Sequence, residues 1–252
     1  MSQAIRIVQI TDCHLPGDPE QEYRGANPHN NLKGLLKKVR AFAPDLLLAT
    51  GDLSEDASLA SYQALQTYFE PLGVPILALP GNHDDAGLLA KTFPGSPVDS
   101  ITVTGHGQWQ IIRVNSCLAG KPEGRLTEQA LQQLNQVLLD EPDRLRLLAL
   151  HHQPILANSP WIDKYRLFEP EAFLALLARA PGVKAVVWGH IHQVHDSEMN
   201  GIAMLGGPSS AINSLPGMEK FTADSLGPAC RWLELRLDGT ITSGVLTAQT
   251  RS

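Results

Sequence analysis

The sequence predicts a four-layer α/β/β/α sandwich, in which two mixed β-sheets pack face to face and helices flank them. Three observations indicate this fold class. Strand and helix patterns alternate over most of the chain, which is typical of crossover units on a largely parallel sheet. A hairpin pattern interrupts this alternation in the middle, and the tail is rich in strands. We therefore expect an early and a later set of strands to form two sheets within one domain over residues 1–252.

The early part of the chain contains three strand patterns that alternate with helix patterns. Apolar runs predict strands at residues 5–11, 45–50 and 75–79. Helix patterns follow each of them, at residues 30–42, 58–72 and 86–93. The pattern at 30–42 is amphipathic, so this helix has one apolar face to bury.

The middle of the chain changes character before the alternation resumes. Residues 100–116 predict two antiparallel strands joined at 105–107, where glycines favour a turn. Thr127 is a plausible N-cap for the helix that follows. The remaining patterns are a strand at 146–150, a helix with Pro170 in its first turn, a strand at 184–188, and tail strands around 201–207, 230–237 and 240–248, the last two joined at Asp238-Gly239.

Composition excludes several classes of protein. No apolar run approaches the roughly 18 residues that cross a bilayer, and residues 1–4 lead directly into a strand pattern rather than a signal sequence, so we expect a cytoplasmic protein. A net charge of −6 without a block of Lys and Arg argues against a stable nucleic-acid partner. Three cysteines without a Cys-x-x-Cys spacing argue against a disulfide framework or a thiolate zinc site.

Five of the predicted strands end in polar side chains. These are Asp12 and His14, Asp52, Asn82 and His83, His151, and His190 and His192. Ligands of open α/β sheets bind beyond the carboxyl ends of the strands, so the five segments are predicted to meet at one crevice. Within Asp-x-His and His-x-His, an extended backbone would place both side chains on the same side.

The residue types at these strand ends indicate divalent metals. Asp, His and Asn without clustered thiolates suit Mn, Fe, Zn or Co, and we favour Mn or Fe, with the ions divalent or of mixed valence. Seven candidate ligands are too many for one ion and about right for two; they are Asp12, His14, Asp52, Asn82, His151, His190 and His192. One carboxylate must then be shared, and Asp52, the lone acid at its strand end, is the best choice.

In order along the chain, these motifs resemble those of the calcineurin-like metallophosphoesterases. They are Asp12-x-His14, Gly51-Asp52, Gly81-Asn82-His83-Asp84, His151 and Gly189-His190-x-His192. The resemblance covers nearly the whole chain and is closest to the bacterial class III cyclic nucleotide phosphodiesterases, through VQITDCHL, LLLATGDLSED, LPGNHD, VWGHIHQ, GPSS and RWLELRLDGT. It implies one metal on Asp12, His14, Asp52 and His192 and another on Asp52, Asn82, His151 and His190.

The resemblance implies hydrolysis of 3',5'-cyclic AMP to the 5'-monophosphate, with a metal-bridging hydroxide as nucleophile. Two divalent ions less two carboxylates and one hydroxide leave a local charge of about plus one, which suits an anionic substrate. His83 would face the substrate phosphate instead of a metal, with Asn82 and His192 beside the substrate. A protonated His83 would stabilise the phosphate oxygens or donate to the leaving group. Glu55, Asp56 or Asp84 could orient it, and the sequence leaves the choice open.

Alternative functions stay open at this point. Two metals would contact only the phosphate group of a substrate, so 2',3'-cyclic nucleotides and glycerophosphodiesters are alternative substrates. From a different class, a metal-free interaction scaffold should lack several ligands, and none is missing here. The sequence does not distinguish a monomer from a homodimer.

Several residues near the motifs carry predictions of their own. We predict that His152 packs beside the ligand histidine and that Cys13 points into the core. The acids that follow His83 are predicted to begin a helix. Residues 206–214 have turn composition and could form a wall of the substrate pocket.

Overall fold

The computed structural model describes residues 4–248, and its elements follow the predicted order. The strands are β1 (Ile5–Ile10), β2 (Leu46–Thr50), β3 (Ile76–Leu79), β4 (Ile101–His106), β5 (Trp109–Val114), β6 (Gly124–Arg125), β7 (Leu145–Ala149), β8 (Leu167–Phe168), β9 (Val183–Trp188), β10 (His195–Met199), β11 (Ile202–Gly206), β12 (Ala229–Leu235) and β13 (Ile241–Thr247). The helices are α1 (Pro28–Phe42), α2 (Leu59–Phe69), α3 (Ala86–Thr92), α4 (Glu128–Asp140), α5 (Pro160–Asp163) and α6 (Glu171–Ala178). Residues 1–3, part of the segment on which the argument against a signal sequence rested, lie outside the described range.

The described strands form two large mixed sheets and one small pair. The first sheet has the order β13-β12-β1-β2-β3, in which β1, β2 and β3 are parallel and β12 joins β1 antiparallel. The second sheet has the order β10-β11-β9-β7-β5-β4, with four parallel strands between the antiparallel edges β10 and β4. Strands β6 and β8 form the small pair. The prediction of two mixed sheets flanked by helices is confirmed.

Alternate side chains on each strand serve two different cores, because successive residues point to opposite faces of a sheet. On β1, Ile7 packs between the two sheets, and Val8 packs under the helices of the first sheet. Leu48 and Leu47 of β2 divide in the same way. All four side chains are fully buried, which stabilises the fold by about 1.5–3 kcal/mol for each. A third core lies under α4 and α6 on the outer face of the second sheet, which completes the four layers.

Side-chain caps fix where the longer helices begin. Thr127 accepts a hydrogen bond from the N–H of Ala130 at 3.1 Å, so its predicted role as N-cap of α4 is confirmed. Ser58 caps α2 in the same way. Asn27 caps α1, which begins at Pro28, two residues before the predicted start, because proline suits the first helical position.

The sequence patterns missed several short elements. Strand β10 is polar and lies at a sheet edge, so it lacks the alternation of apolar residues that signals a strand. Strands β6 and β8 span two residues each, and α5 spans four, which is too short for any periodicity. The helix predicted at 58–72 ends earlier, at Phe69, and a 3₁₀ turn over Glu70–Leu72 completes it.

A buried glutamine joins the two sheets where the polar strand ends meet. Gln9 Nε2 donates to Thr50 Oγ1 and to the carbonyl of Trp188, both at 2.9 Å. Its carbonyl oxygen, Oε1, has no partner among the described residues. Gln9 follows the apolar residues Ile7 and Val8 and precedes Ile10, and this polar residue in an apolar run was the only sequence signal for the contact. The contact places the carboxyl ends of β1 and β2 against that of β9.

A helix that crosses a membrane must be both long and apolar. Within residues 4–248, none of the helices combines the length and the apolar character needed to cross a bilayer.

Candidate metal centre

The loops that carry the candidate ligands have an unusual backbone. Asp12, His14 and Asp52 have φ values of 51°, 44° and 48°, and His190 and His192 have φ values of 68° and 50°. These values lie in the left-handed region, so the predicted extended segments are wrong. The two members of each i, i+2 pair come together because the backbone bends at both residues. Such strain costs about 1–3 kcal/mol per residue and clusters at functional sites.

Backbone hydrogen bonds hold these bends in register. The N–H of Asp12 donates to the carbonyl of Gly51, and the N–H of His14 donates to the carbonyl of Asp52, both at 2.9 Å. The N–H of His190 donates to the carboxylate of Asp12 at 3.0 Å. The loops after β1, β2 and β9 are therefore fixed to one another.

One side of the centre is formed by Asp12, His14 and His192, whose ligand atoms lie within 4.8 Å of one another. The Nδ1 atom of His14 lies 2.7 Å from Glu55 Oε2, and that of His192 lies 2.8 Å from the carbonyl of Ile212. Both partners are acceptors, so both Nδ1 atoms carry the proton. Burial lowers the pKa of His14, although the hydrogen bond to Glu55 opposes this effect.

The other nitrogens of these two rings face each other. His14 Nε2 and His192 Nε2 are 3.0 Å apart, and both side chains are buried. If both rings are neutral, with their protons on Nδ1, two lone pairs point at one another, an arrangement that no hydrogen bond satisfies. A cation that accepts both lone pairs satisfies it.

A second pair of imidazoles lies across the centre. His190 Nε2 lies 3.2 Å from the carbonyl of Tyr165, and burial lowers the pKa of His190 well below its usual value, so its Nδ1 bears a lone pair. That nitrogen lies 3.2 Å from Nε2 of His151, whose Nδ1 is 2.9 Å from the carbonyl of Thr50. Burial lowers the pKa of His151, but the Asp52 carboxylate outweighs it and raises the pKa to about 9. This position favours a positive charge, which a divalent cation can supply instead of a proton.

Asp52 lies between the two pairs of histidines. Its Oδ2 atom is 3.3 Å from His151 Nε2 and 3.8 Å from His14 Nε2. Burial raises the pKa of Asp52, but the positive charge at His151 outweighs it and holds the pKa well below the usual value. Contact with both sides is the geometry that a shared carboxylate requires.

Asn82 supplies a further test of whether the residues fit metals. Its Oδ1 atom is buried and has no hydrogen-bond partner among the described residues. A buried carbonyl oxygen without a partner costs free energy unless a ligand satisfies it. Together with the facing imidazoles, this oxygen makes the donor set fit two divalent cations. The structure brings six of the seven predicted ligands to one place, namely Asp12, His14, Asp52, His151, His190 and His192. Asn82 lies in the loop where the N–H of His83 donates to Asp52 Oδ1 at 2.9 Å, and the assignment of each ligand to a metal stays a prediction.

The glycines that precede the ligands leave no space for a side chain. A Cβ atom on Gly81 would lie against Asp52 N and Asp52 Oδ1, well inside van der Waals contact. A Cβ atom on Gly189 would lie against Thr11 Oγ1 and 2.8 Å from Asp12 Oδ2. The ligand carboxylates therefore occupy the space that other residues would need for their own side chains.

Substitution of Gly81 by alanine is expected to weaken metal binding. The methyl group displaces Asp52, and overpacking of this kind costs about 1–3 kcal/mol of stability. We expect a lower metal content after dialysis and a lower melting temperature, measured by elemental analysis and calorimetry. Gly34→Ala is the control, because its nearest neighbour is Ala248 Cβ at 3.9 Å and the change should leave metal content unaltered. Full metal content in Gly81→Ala would contradict the role of this contact.

His83 differs from the ligands in its exposure and its partner. Its side chain is 36% exposed, against 1% for His14. Its Nδ1 atom lies 3.2 Å from Glu55 Oε2, and that contact raises the pKa of His83 to about 9 although burial opposes it. The ring of His83 lies 4.9 Å from that of His14. His83 is therefore a half-buried imidazole with a raised pKa at the edge of the centre, distinct from the buried candidate ligands.

The structure distinguishes among the three acids that the sequence left open as partners of His83. Glu55 Oε2 contacts both His83 and His14, and these hydrogen bonds hold the pKa of Glu55 at about 2 although burial raises it. Asp56 instead accepts from the N–H groups of Gly17 and Ser58. Asp84 accepts from backbone N–H groups at Leu53, Ser54 and Gly81, and burial raises its pKa to about 6.

Other residues singled out in the sequence lie around the ligands. His152 is buried, with Nδ1 2.8 Å from Ser116 Oγ and its ring 4.6 Å from that of His190, so it packs beside the ligands as predicted. Cys13 packs into the helix-side core of the first sheet, also as predicted. Asp85 caps α3, which confirms the predicted helix start. The 206–214 segment backs the centre: Ser209 Oγ donates to the carbonyl of Asp12 at 2.8 Å.

Comparison with known proteins places this arrangement among related chains. A family model described as calcineurin-like phosphoesterase matches residues 5–194. The chain is 36% identical over 244 residues to the 3',5'-cyclic adenosine monophosphate phosphodiesterase CpdA of Escherichia coli, covering 96% of this chain and 89% of that protein. It is 35% identical over 243 residues to a 3',5'-cyclic-nucleotide phosphodiesterase of Nostoc sp., covering 96% and 91%. A solved dimetal phosphatase from Danio rerio aligns with a TM-score of 0.69 at 15% identity, covering 97% and 99%, which concerns the fold alone.

Proposed function

Because the chain belongs to the calcineurin-like phosphoesterase family, we propose that it is a phosphodiesterase that hydrolyses 3',5'-cyclic AMP to 5'-AMP at a dinuclear metal centre. Its relatives include cyclic-nucleotide phosphodiesterases, which supports the assignment of this chain as a phosphoric diester hydrolase. The observation that carries the metal-dependent activity is the pair of facing imidazole nitrogens, Nε2 of His14 and Nε2 of His192, 3.0 Å apart.

The donor set assigns residues to each metal. Asp12, His14, Asp52 and His192 would hold one ion, and Asp52, Asn82, His151 and His190 the other. Two divalent cations, when bound, polarise phosphoryl oxygens and make water nucleophilic near neutral pH. The histidines need no reorganisation to accept them, because hydrogen bonds to Glu55, Thr50, Tyr165 and Ile212 already fix each ring.

His83 is the group that this chain offers to the reacting phosphate. Hydrolysis of a phosphodiester places negative charge on the phosphate oxygens and on the departing alkoxide. A protonated His83, held by Glu55, donates a hydrogen bond to the former or a proton to the latter. The two roles share one requirement, which is an imidazolium at the open edge of the centre.

The charge of the site favours a small anionic substrate in spite of the acidic chain. The net charge is −6, yet two divalent cations outweigh the carboxylates of Asp12 and Asp52 locally. Long nucleic acid is disfavoured because the chain is acidic and has no block of Lys and Arg to follow a phosphate backbone. A compact cyclic nucleotide exposes one phosphate to the metals and little charge elsewhere.

Turnover of a substrate panel tests this proposal. Chelated protein should be inactive, and Mn²⁺ should restore hydrolysis of 3',5'-cyclic AMP. Discrimination by pocket contacts is about 10- to 200-fold, so kcat/KM should exceed that for 2',3'-cyclic AMP and glycerophosphocholine by this order. Bis(p-nitrophenyl) phosphate serves as a general phosphodiester.

The alternatives give different results in the same experiment. A preference for 2',3'-cyclic AMP or glycerophosphocholine would show that 3',5'-cyclic AMP is not the substrate. Metal-dependent hydrolysis of a phosphodiester would still hold. An interaction scaffold would turn over none of the panel with Mn, Fe, Zn or Co and would retain no metal by elemental analysis. The identity of the metal, one domain over residues 1–252, a cytoplasmic location and a monomeric or dimeric state stay predictions from the sequence.

A further inference from the structure

Four side chains line the side of the centre formed by His14 and His192, and we call them the aromatic wall: Tyr23, Arg24, Trp161 and Phe221. The ring of Tyr23 stacks on that of His14 with centroids 4.1 Å apart and an angle of 9°. Trp161 and Phe221 approach His192 nearly at right angles, at 6.2 and 6.1 Å. The wall therefore begins directly beside the metal ligands.

Hydrogen bonds between distant segments hold the wall in shape. The backbone N–H of Trp161 donates to the carbonyl of Met218 at 3.2 Å, and the backbone N–H of Gly217 donates to Ser159 Oγ at 2.9 Å. These bonds fix α5 against the loop that carries Phe221, whose ring lies 5.3 Å from that of Trp161. The surface is preformed, as ligand sites usually are.

Core packing accounts for Trp161, which packs against the core under α4 and α6, but not for the rest of the wall. Tyr23 and Phe221 are partly exposed and belong to none of the three apolar cores in the described part of the chain. The guanidinium of Arg24 lies 4.1 Å from the centre of the Phe221 ring, and its Nε donates to Tyr23 Oη at 2.9 Å. The backbone of Arg24 is left-handed, with φ 50°, so an unfavourable conformation holds this residue in place.

Arg24 also lacks a carboxylate. Within residues 4–248 no Asp or Glu side chain forms an ion pair with it, and the side chain is exposed. A guanidinium that lies over an aromatic ring and has no carboxylate partner offers both a stacking surface and N–H donors. That combination suits a planar ring with acceptor nitrogens.

We propose that the aromatic wall binds the purine base of the nucleotide whose phosphate sits at the metal centre. This rests on the proposed function, because it assigns a specificity site to the same substrate. The base stacks against Arg24, Phe221 and Trp161, and the guanidinium donates to acceptor nitrogens of the base. Tyr23 positions Arg24 through its hydroxyl group.

Binding of the product tests the inference without turnover. Isothermal titration calorimetry on the Mn-loaded protein compares AMP with ribose 5-phosphate, which lacks the base. Wild type should bind AMP more tightly. Loss of base stacking costs about 5- to 150-fold, so Phe221→Leu should lower AMP affinity by this order and leave ribose 5-phosphate unchanged. Phe221→Tyr keeps the ring and should restore AMP binding.

A second Arg–Phe pair far from the centre serves as a matched control. Arg6 lies over the ring of Phe42 at 4.1 Å, the same distance as in the wall, but at the opposite end of β1 from the metal ligands. Arg6→Ala should therefore change neither affinity. Arg24→Ala should lower the affinity for AMP only.

The results that overturn the inference are distinct from those that overturn the proposed function. Equal affinity of wild type for AMP and ribose 5-phosphate would show that no base site exists. An equal loss for both ligands in Arg24→Ala would mean that Arg24 contacts the phosphate, and the wall would lose its assigned role. If AMP were preferred but no cyclic nucleotide were hydrolysed, the base site would stand and the proposed function would fall.

Discussion

Replacement of Asp52 by asparagine is expected to remove metal from the centre and to abolish most turnover. The substitution keeps the shape of the side chain but removes the negative charge that faces both His151 and His14. Loss of groups that merely support a ligand costs about 10- to 100-fold in metal affinity, so loss of the shared carboxylate should cost more. Elemental analysis after dialysis should find less than the full metal complement, and kcat should fall in parallel.

Asp56→Asn provides the matched control for this change. It is the same substitution four residues along the chain, at a carboxylate that accepts from Gly17 and Ser58 instead of facing the centre. We expect both metals to be retained in this variant. If Asp52→Asn also kept both metals and wild-type turnover, the assignment of a bridging role to Asp52 would be wrong.

Replacement of His83 by alanine is expected to have the second largest effect on rate, without loss of metal. His83 lies at the open edge and makes its Nδ1 contact with Glu55, so its removal leaves the facing imidazoles intact. Removal of a general acid or an oxyanion donor lowers rates by about 10²–10⁴-fold. The measurement combines kcat at saturating Mn²⁺ with metal content.

A histidine away from the centre serves as the comparison for His83→Ala. His106 is exposed at the end of β4, so His106→Ala should change neither rate nor metal content. Wild-type turnover in His83→Ala would exclude the role given to His83. Loss of metal in the same variant would instead identify His83 as a ligand, which its position within 4.8 Å of His14 and Asp52 makes a meaningful test.

The order of elements and the meeting of the ligands were predictable because both follow from local patterns. Apolar runs that end in Asp, His or Asn mark strand ends, and parallel strands bring those ends together. The left-handed bends were not predictable, because Asp12 and His14 carry no glycine-like signal for such a backbone. Tertiary hydrogen bonds impose that conformation.

Contacts between residues that are brought together only by the fold could not be predicted from the sequence either. Glu55 and Asp84 stood as equal candidates to orient His83, and only the path of the loop after β2 separates them. Tyr23, Trp161 and Phe221 lie in irregular segments without periodicity, so no pattern connected them with His14 or His192.

The position of β12 in the first sheet has a consequence for the synthesis of the chain on the ribosome. Strand β1, which carries Asp12 and His14 at its end, lies between β2 and β12, and Ile5 pairs with Leu235. The amino-terminal ligands therefore leave the ribosome long before the strand that completes their sheet. Contacts between such distant residues form slowly and late. We therefore expect the loop that carries Asp12 and His14 to stay incomplete, and open to metal ions or to chaperones, until β12 has emerged.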